Sequence, residues 1–346
     1  MTALQRNISF VTLHSNYINM TPMINRQAQL EQWLARCLNT SHFKLTALCG
    51  DASFRSYYRL QYDDNKRIIM NAPPAKENLH QFITIAEILN KHQIRAPQIY
   101  AVDEQLGFAI LEDFGDRLLL GELNNHSADV LYKQAITTLL AIQQCPTEQL
   151  PSFNQRFMKQ EMGLFSQWFL DAYLKLELST SEKTMIEDTF SWLSAEIDMQ
   201  PTVFIHRDYH SRNIMICNDN TDERPGIIDF QDAMAGPLTY DLVSLLKDCY
   251  IQWPREQIIS WLTFFYQQSE LAKQLSLADF IRAFDLCGLQ RHIKVLGIFT
   301  RLYLRDNKSS YLKDLPLTLN YVVACLETYS ELLPFYQLVQ QRIQLP

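Results

Sequence analysis

The run His206-Arg207-Asp208-Tyr209-His210-Ser211-Arg212-Asn213 gathers groups able to do chemistry, and Ile227-Ile228-Asp229-Phe230 follows it. Asp208 and Asn213 lie five residues apart, after the apolar stretch Val203-Phe204-Ile205, on what reads as a loop. Such a loop can turn both side chains into one cleft, and a third acid, Asp229, can return to meet them. Phosphoryl transfer needs this set: one carboxylate to orient and deprotonate an attacking hydroxyl, and an Asn and an Asp oxygen to hold magnesium on the phosphates. Asp and Asn also serve as caps and turn formers in polar loops. The joint occurrence of the His, two apolar flanks and the Ile-Ile-Asp-Phe return favours catalysis over that reading. Asp232, three residues beyond Asp229, is a candidate to line the cleft, with solvent exposure the alternative.

Glycine supplies useful exclusions. The chain has nine glycines, no G-x-G-x-x-G and no Gly-Lys-Ser/Thr, so neither a dinucleotide fingerprint nor a Walker-A loop is expected.

The elements that must position these groups follow from periodicity. Leu30, Trp33, Leu34, Cys37 and Leu38 form an i, i+3, i+4, i+7, i+8 stripe that predicts a helix. From Phe43 the period changes to two, and alternating stretches around Phe43–Ala47, Tyr58–Tyr62 and Arg67–Met70 predict strands separated by Gly50-Asp51-Ala52-Ser53 and Asp63-Asp64-Asn65-Lys66. A helix carrying Phe82, Ile83, Ala86 and Leu89 follows, then a hairpin of Ile99–Val102 and Phe108–Leu111. This amounts to a five-stranded antiparallel sheet with one helix. The pattern breaks at Glu112-Asp113-Phe114-Gly115. Beyond it the chain reads as mostly helical, apart from one β-hairpin running from Val203 to Asp229. The expected fold is α+β: a small β-rich N-lobe over 25–113, a larger mainly helical C-lobe over 114–346, and a possibly disordered extension over 1–24.

Composition narrows the function classes. The net charge of −7 argues against a nucleic-acid or anionic-membrane surface. Seven dispersed cysteines with no C-x-x-C pair suggest thiols in a reducing compartment. No signal peptide is legible before Met20, and no apolar run reaches membrane-spanning length. A cytoplasmic enzyme of a small molecule is expected, with no nucleic acid, no membrane and no obligate protein partner.

H-x-D-x-H-x-x-N followed by I-D-F resembles the aminoglycoside-phosphotransferase and choline-kinase family, which has a protein-kinase-like two-lobe fold. The resemblance implies ATP and Mg2+ as cofactors, Asp208 as catalytic base, Asn213 and Asp229 as magnesium ligands, and His206 as a brace. Asp241, in Gly236-Pro237-Leu238-Thr239-Tyr240-Asp241, reads either as a helix N-cap or, through the family, as a brace of the catalytic loop. Arg207 stands where the family more often has Gly. His210 fits the pattern, either as a neutral hydrogen-bonded loop histidine or as a substrate contact. The strand lysine of kinase-like folds is missing, with Met70 near its expected place. The turn leading through Ala52, Ser53, Phe54 and Arg55 can still cover phosphates with backbone N–H groups, Arg55 can supply positive charge, and Glu112 at the lobe boundary completes the cofactor-binding candidates.

Asp51–Arg55, Met70–Pro74 and Gly288–Phe299 look like one subgroup, the bacterial anomeric kinases of N-acetylmuramate and N-acetylglucosamine, which serve peptidoglycan recycling. The similarity covers roughly residues 25 to 340. Arg291, His292, Lys294, Arg301 and Arg305 concentrate positive charge in an acidic chain. Arg291 and Arg301 are the candidates to meet a lactyl carboxylate, the alternative being a solvated basic face beside Leu289, Ile293, Leu296 and Phe299. A polycationic aminoglycoside would find that helix unfavourable. Two other readings stand beside this one: a kinase of another small alcohol (an aminoglycoside, choline or homoserine), and a non-catalytic kinase-like binding module.

Overall fold

The structure is a computed structural model that describes residues 20–48, 54–217 and 224–345, with side chains from residue 26 onward. The expected extension thus lies almost wholly outside the described residues. The chain divides into two compact units, the first reaching Leu79 and including Ile99–Asp113, the second His80–Gln98 with Phe114–Pro346. The segment 80–98, placed with the N-lobe by the sequence reading, clusters with the second unit.

In the first unit, helix α1 (Met20–Leu38) precedes β1 (Lys44–Ala47), β2 (Ser56–Tyr62), β3 (Asn65–Asn71), β4 (Ile99–Asp103) and β5 (Phe108–Leu111). The strands form one antiparallel sheet in the order β1-β2-β3-β5-β4, so the five strands and their pairing agree with the alternation. The apolar stripe of α1, Leu30, Trp33 and Leu34, buries against Leu60, Ile69, Phe108 and Ile110 on one sheet face. Trp33 and Phe108 place their ring centroids 5.6 Å apart. Asp63 closes the β2–β3 hairpin at φ 47°, a left-handed position that Asp tolerates better than most residues.

Because side chains alternate, Met70 takes the face opposite Ile69, where it is 1% exposed and pairs with Tyr57 and Ala109. Arg59, registered against Ile68, shares Met70's face and binds Asp113 through two hydrogen bonds of 2.7 and 3.1 Å. That face therefore carries Arg59, on the strand next to Met70.

The second unit holds α2 (Leu79–Lys91), α3 (Leu119–Glu122), α4 (Ala128–Ile142), α5 (Gln155–Leu164), α6 (Thr180–Asp198), α7 (Tyr240–Leu246), α8 (Arg255–Gln268), α9 (Leu277–Asp306), α10 (Leu315–Thr328) and α11 (Leu333–Arg342). A π-helical turn, Phe165–Tyr173, continues α5. The thirty-residue α9 is buried along most of its length and packs against α5, the π-helical turn, α7 and α10. At Gly297 an added Cβ would stand 2.6 Å from both Leu164 O and Phe165 N, so the helix backbones meet there without a side chain between them.

The single expected hairpin is instead two ribbons. β6 (Thr202–Ile205) pairs with β9 (Met234–Pro237), and β7 (Ile214–Met215) pairs with β8 (Gly226–Ile227). Asp229 at φ 64° turns the chain out of the β8 direction, which ends that strand and frees β6 for a later partner. Among the described residues no helix is long and apolar enough to cross a membrane.

Candidate active site

The catalytic loop begins where β6 ends. The carboxylate of Asp241, in the first turn of α7, accepts the backbone N–H of His206 at 2.6 Å and of Arg207 at 3.0 Å. The α7 N-cap residue is Thr239, so Asp241 acts as the brace and not as the cap. The His206 ring accepts the Asp208 N–H at Nδ1 (3.3 Å), which leaves Nε2–H to donate to Ile228 O at 3.0 Å. His206 is thus a strut between the loop and the return segment. Further along, Asp248 accepts both the backbone N–H of Ser211 (2.9 Å) and its hydroxyl, and takes the Tyr250 N–H at 2.9 Å. Two buried carboxylates therefore hold the two ends of the loop.

The β7–β8 ribbon brings the return segment home. Ile214 registers with Ile227, and Ile228 N–H donates to Asn213 O at 3.1 Å. Asn213 then places its side-chain amide 3.0 Å from Asp208 O and 3.5 Å from Asp229 Oδ2. Gln231 donates to Asp229 Oδ1 (3.1 Å) and to Asp232 Oδ2 (3.2 Å), tying these acids to one turn. Asp208, Asn213 and Asp229 are so brought together, with Asp232 exposed at the margin. Arg207 and Asp229 both have left-handed backbones, at φ 75° and 64°, strain that persists only where surrounding bonds over-determine it.

Electrostatics keep Asp208 ionised, which suits an orienting acceptor better than a strong base. Burial works to raise the Asp208 carboxyl, but Lys294 above all, with Arg291 and Arg207, outweighs it and holds the group down at about 2. Asp208 is therefore ionised at neutral pH. His210 is pushed down by burial and stays neutral, edge-on to Tyr250 at 5.5 Å. Burial pushes Asp241 up to about 6.

The basic helix is not a solvated face. Arg291 is 5% and Lys294 7% exposed, both in the charge field of Asp208. Lys294 Nζ binds Glu161 Oε1 at 2.9 Å and the Tyr240 hydroxyl at 3.1 Å. His292 is consumed structurally, bonding Lys247 O at 2.9 Å and stacking on Tyr321. Arg301 lies ten residues beyond Arg291, about 15 Å along the helix axis, and its charged neighbours are Arg305 and Asp306. It is not gathered with the others.

In the first unit, Glu77 accepts the Phe54 N–H at 3.1 Å and pairs with Arg55 at 3.5 Å. The Phe54 ring is exposed beneath Lys76, whose ammonium lies 4.0 Å from its centroid. Glu112 is half-buried just after β5. Ala52 and Ser53 lie outside the described residues.

Sequence reasoning did not single out Asp248, Glu161 or Lys294 as site residues. Lys294 had a signal, since it lies one helical turn from Arg291. Glu161 and Asp248 had none, being lone acids whose importance comes from distant partners.

Comparison with known proteins agrees with this geometry. A family model described as phosphotransferase enzyme family matches residues 44–275. An N-acetylmuramate/N-acetylglucosamine kinase of Pseudomonas putida is 36% identical, covering 91% of this chain and 96% of that protein. One of the same name from Neisseria meningitidis serogroup B is 33% identical over 92% of this chain and 97% of its own. Among solved structures, a Plasmodium vivax ethanolamine kinase superposes with a TM-score of 0.65 at 13% identity, covering 93% of this chain and 94% of that one. A Streptococcus pneumoniae choline kinase gives 0.58 at 11% identity, covering 87% and 99%. These share the fold. With the braced loop, the converging Asp208, Asn213 and Asp229, and a family model spanning both units, the chain belongs to the phosphotransferase enzyme family.

Proposed function

We propose that this enzyme transfers the terminal phosphoryl group of ATP to the anomeric hydroxyl of N-acetylmuramate or N-acetylglucosamine, giving the sugar 1-phosphate. The observation that carries the phosphotransferase chemistry is the convergence of Asp208, Asn213 and Asp229 on one braced turn. The choice of sugar rests on relatives of that name aligned over nearly the whole chain.

Asp208 accepts the proton of the attacking hydroxyl. The hydroxyl oxygen forms the new P–O bond as the bond to the ADP oxygen breaks. Because an anomeric hydroxyl is more acidic than an ordinary sugar alcohol, orientation counts for more than basicity. The donor chemistry fits magnesium: Asn213 has an amide oxygen and Asp229 a carboxylate, the two side chains meet through the Asn213 amide nitrogen 3.5 Å from Asp229 Oδ2, and Mg2+ ordinarily takes one or two protein oxygens with the phosphates filling much of the rest. Bound there, the ion would neutralise phosphate charge. Among the described residues no cluster of three His, Cys, Asp or Glu offers another metal site.

On the nucleotide side we assign Ala52, Ser53, Phe54, Arg55 and Glu112. On the sugar side we assign Arg291, with His210 and Asp232 near the acceptor. Buried cations facing Asp208 favour an acidic acceptor, which supports N-acetylmuramate over a polycationic aminoglycoside. Arg301 carries no such support. The cytoplasm and peptidoglycan recycling complete the reading.

A coupled ADP-release assay with magnesium and ATP tests it, against N-acetylmuramate, N-acetylglucosamine, kanamycin, choline and homoserine, with Asp208→Asn as the blank. Turnover on the two amino sugars alone is expected. Turnover on another acceptor discards the sugar assignment and keeps the chemistry. Silence on all five discards catalysis.

A further inference from the structure

Arg207 carries a long side chain at a backbone angle where glycine rests without strain. Its guanidinium packs 5.2 Å from the Phe157 ring centroid and binds Glu161 Oε1 at 2.7 Å. Phe157 and Glu161 are four residues apart on α5 and so present one face. Glu161 is in turn met from α9: Lys294 Nζ at 2.9 Å on the same oxygen, and Gln290 Nε2 at 3.4 Å on the other. Gln290 and Lys294 are also four apart. Glu161, Gln290 and Lys294 are all at least nine-tenths buried. A single carboxylate thus joins three elements, and the residue it grips on the catalytic loop immediately precedes Asp208.

We propose that Arg207 is a positioning residue for Asp208, held by a buried anchor of Glu161, Lys294 and Gln290 that fixes the loop between α5 and α9. Backbone bonds from Asp241 set where the loop enters. The Arg207 side chain fixes its rotation, and so the direction in which the Asp208 carboxylate is presented to the acceptor. The reasoning rests on Asp208 being the base.

Arg207→Gly decides between positioning and mere structure, because glycine relieves the backbone strain while deleting the anchor contact. The expected result is a kcat lower by about a hundredfold, the cost of a misaligned reacting group, with KM for ATP within about twofold and a melting temperature equal to or above wild type. Arg207→Lys, which returns a charge to Glu161, should recover part of the loss. Glu161→Gln removes the shared carboxylate and leaves Lys294, whose charge also holds Asp208 ionised, bonded to the Tyr240 hydroxyl. This variant should match Arg207→Gly, and adding Arg207→Gly to it should change kcat no further. Wild-type kcat in Arg207→Gly, or a melting temperature that falls in step with kcat, overturns the proposal. So does full additivity of the anchor variants. If the wild-type enzyme is silent on both amino sugars, the sugar assignment fails, and magnesium-ATP hydrolysis by the same variants decides the positioning role. A wild type that hydrolyses no ATP overturns both.

Discussion

Asp241 holds Arg207 in its left-handed conformation by accepting the backbone N–H at 3.0 Å. Ionised, the carboxylate offers one oxygen to Arg207 and one to His206. Protonated, it can serve only one of them well. Burial lifts its pKa to about 6, so the folded state favours protonation as pH falls through that value. The stability this group adds is fully present below its ordinary value of 3.8 and is lost as pH rises from there through about 6. Activity should therefore drop below about pH 6 while the fold stays intact, measured as kcat against pH beside a thermal melt. Asp241→Asn should remove that limb and lower kcat about a hundredfold at neutral pH. An unchanged acid limb in Asp241→Asn would assign it elsewhere.

Asp229→Asn tests the metal assignment with little disturbance of the backbone, because Asn also tolerates the left-handed angle found there. The variant should fold, and the magnesium concentration for half-maximal turnover should rise by about tenfold or more, since hard cations prefer carboxylate oxygen. A magnesium titration of ADP release checks this. An unshifted curve removes Asp229 from the metal.

Arg55 and Glu77 form an ion pair beside the Phe54 N–H. If this pair orders the turn that covers phosphates, Arg55→Ala raises KM for ATP about tenfold and leaves KM for the sugar unchanged. Glu77→Gln, which keeps an acceptor for the Phe54 N–H, should have a smaller effect. Equal shifts in both substrates would point to a general loss of structure.

Gly297→Ala should destabilise by ~1–3 kcal/mol, because a Cβ there meets the backbone of Leu164 and Phe165 and no flexible side chain can yield. A melt several degrees lower is expected. The alanine variant melting with wild type would mean that the helices separate freely at this point.

Much of this was legible in the sequence. The strands between residues 43 and 111 were legible from alternation in β1 and β2 and from short apolar runs beside turn residues in β3, β4 and β5. The proximity of Asp208, Asn213 and Asp229 was legible because they are close in sequence and flanked by apolar strands. The pairing of β6 with β9 was not, because Met234–Pro237 has neither alternation nor β-branched residues and pairs only once Asp229 has turned the chain. The π-helical turn was hidden for a similar reason, since Phe165–Tyr173 has an ordinary amphipathic composition. On α9, Arg291 read as a candidate substrate contact, with a solvated basic face the alternative for it and for Lys294. Only the tertiary structure supplies Glu161 and Asp208, the groups that let two cations be buried.

The loop that carries Asp208 has its restraints at long range. Asp241 reaches back 35 residues, Asp248 37, and Glu161 forward 46. The bonds from Asp241 and Asp248 cannot form while the chain downstream of the loop is unfinished, and the anchor on Glu161 is complete only with α9 in place. Catalytic competence is therefore a late event of assembly. A fragment ending before α9 would carry Asp208, Asn213 and Asp229 and still lack the Lys294 and Gln290 half of the anchor.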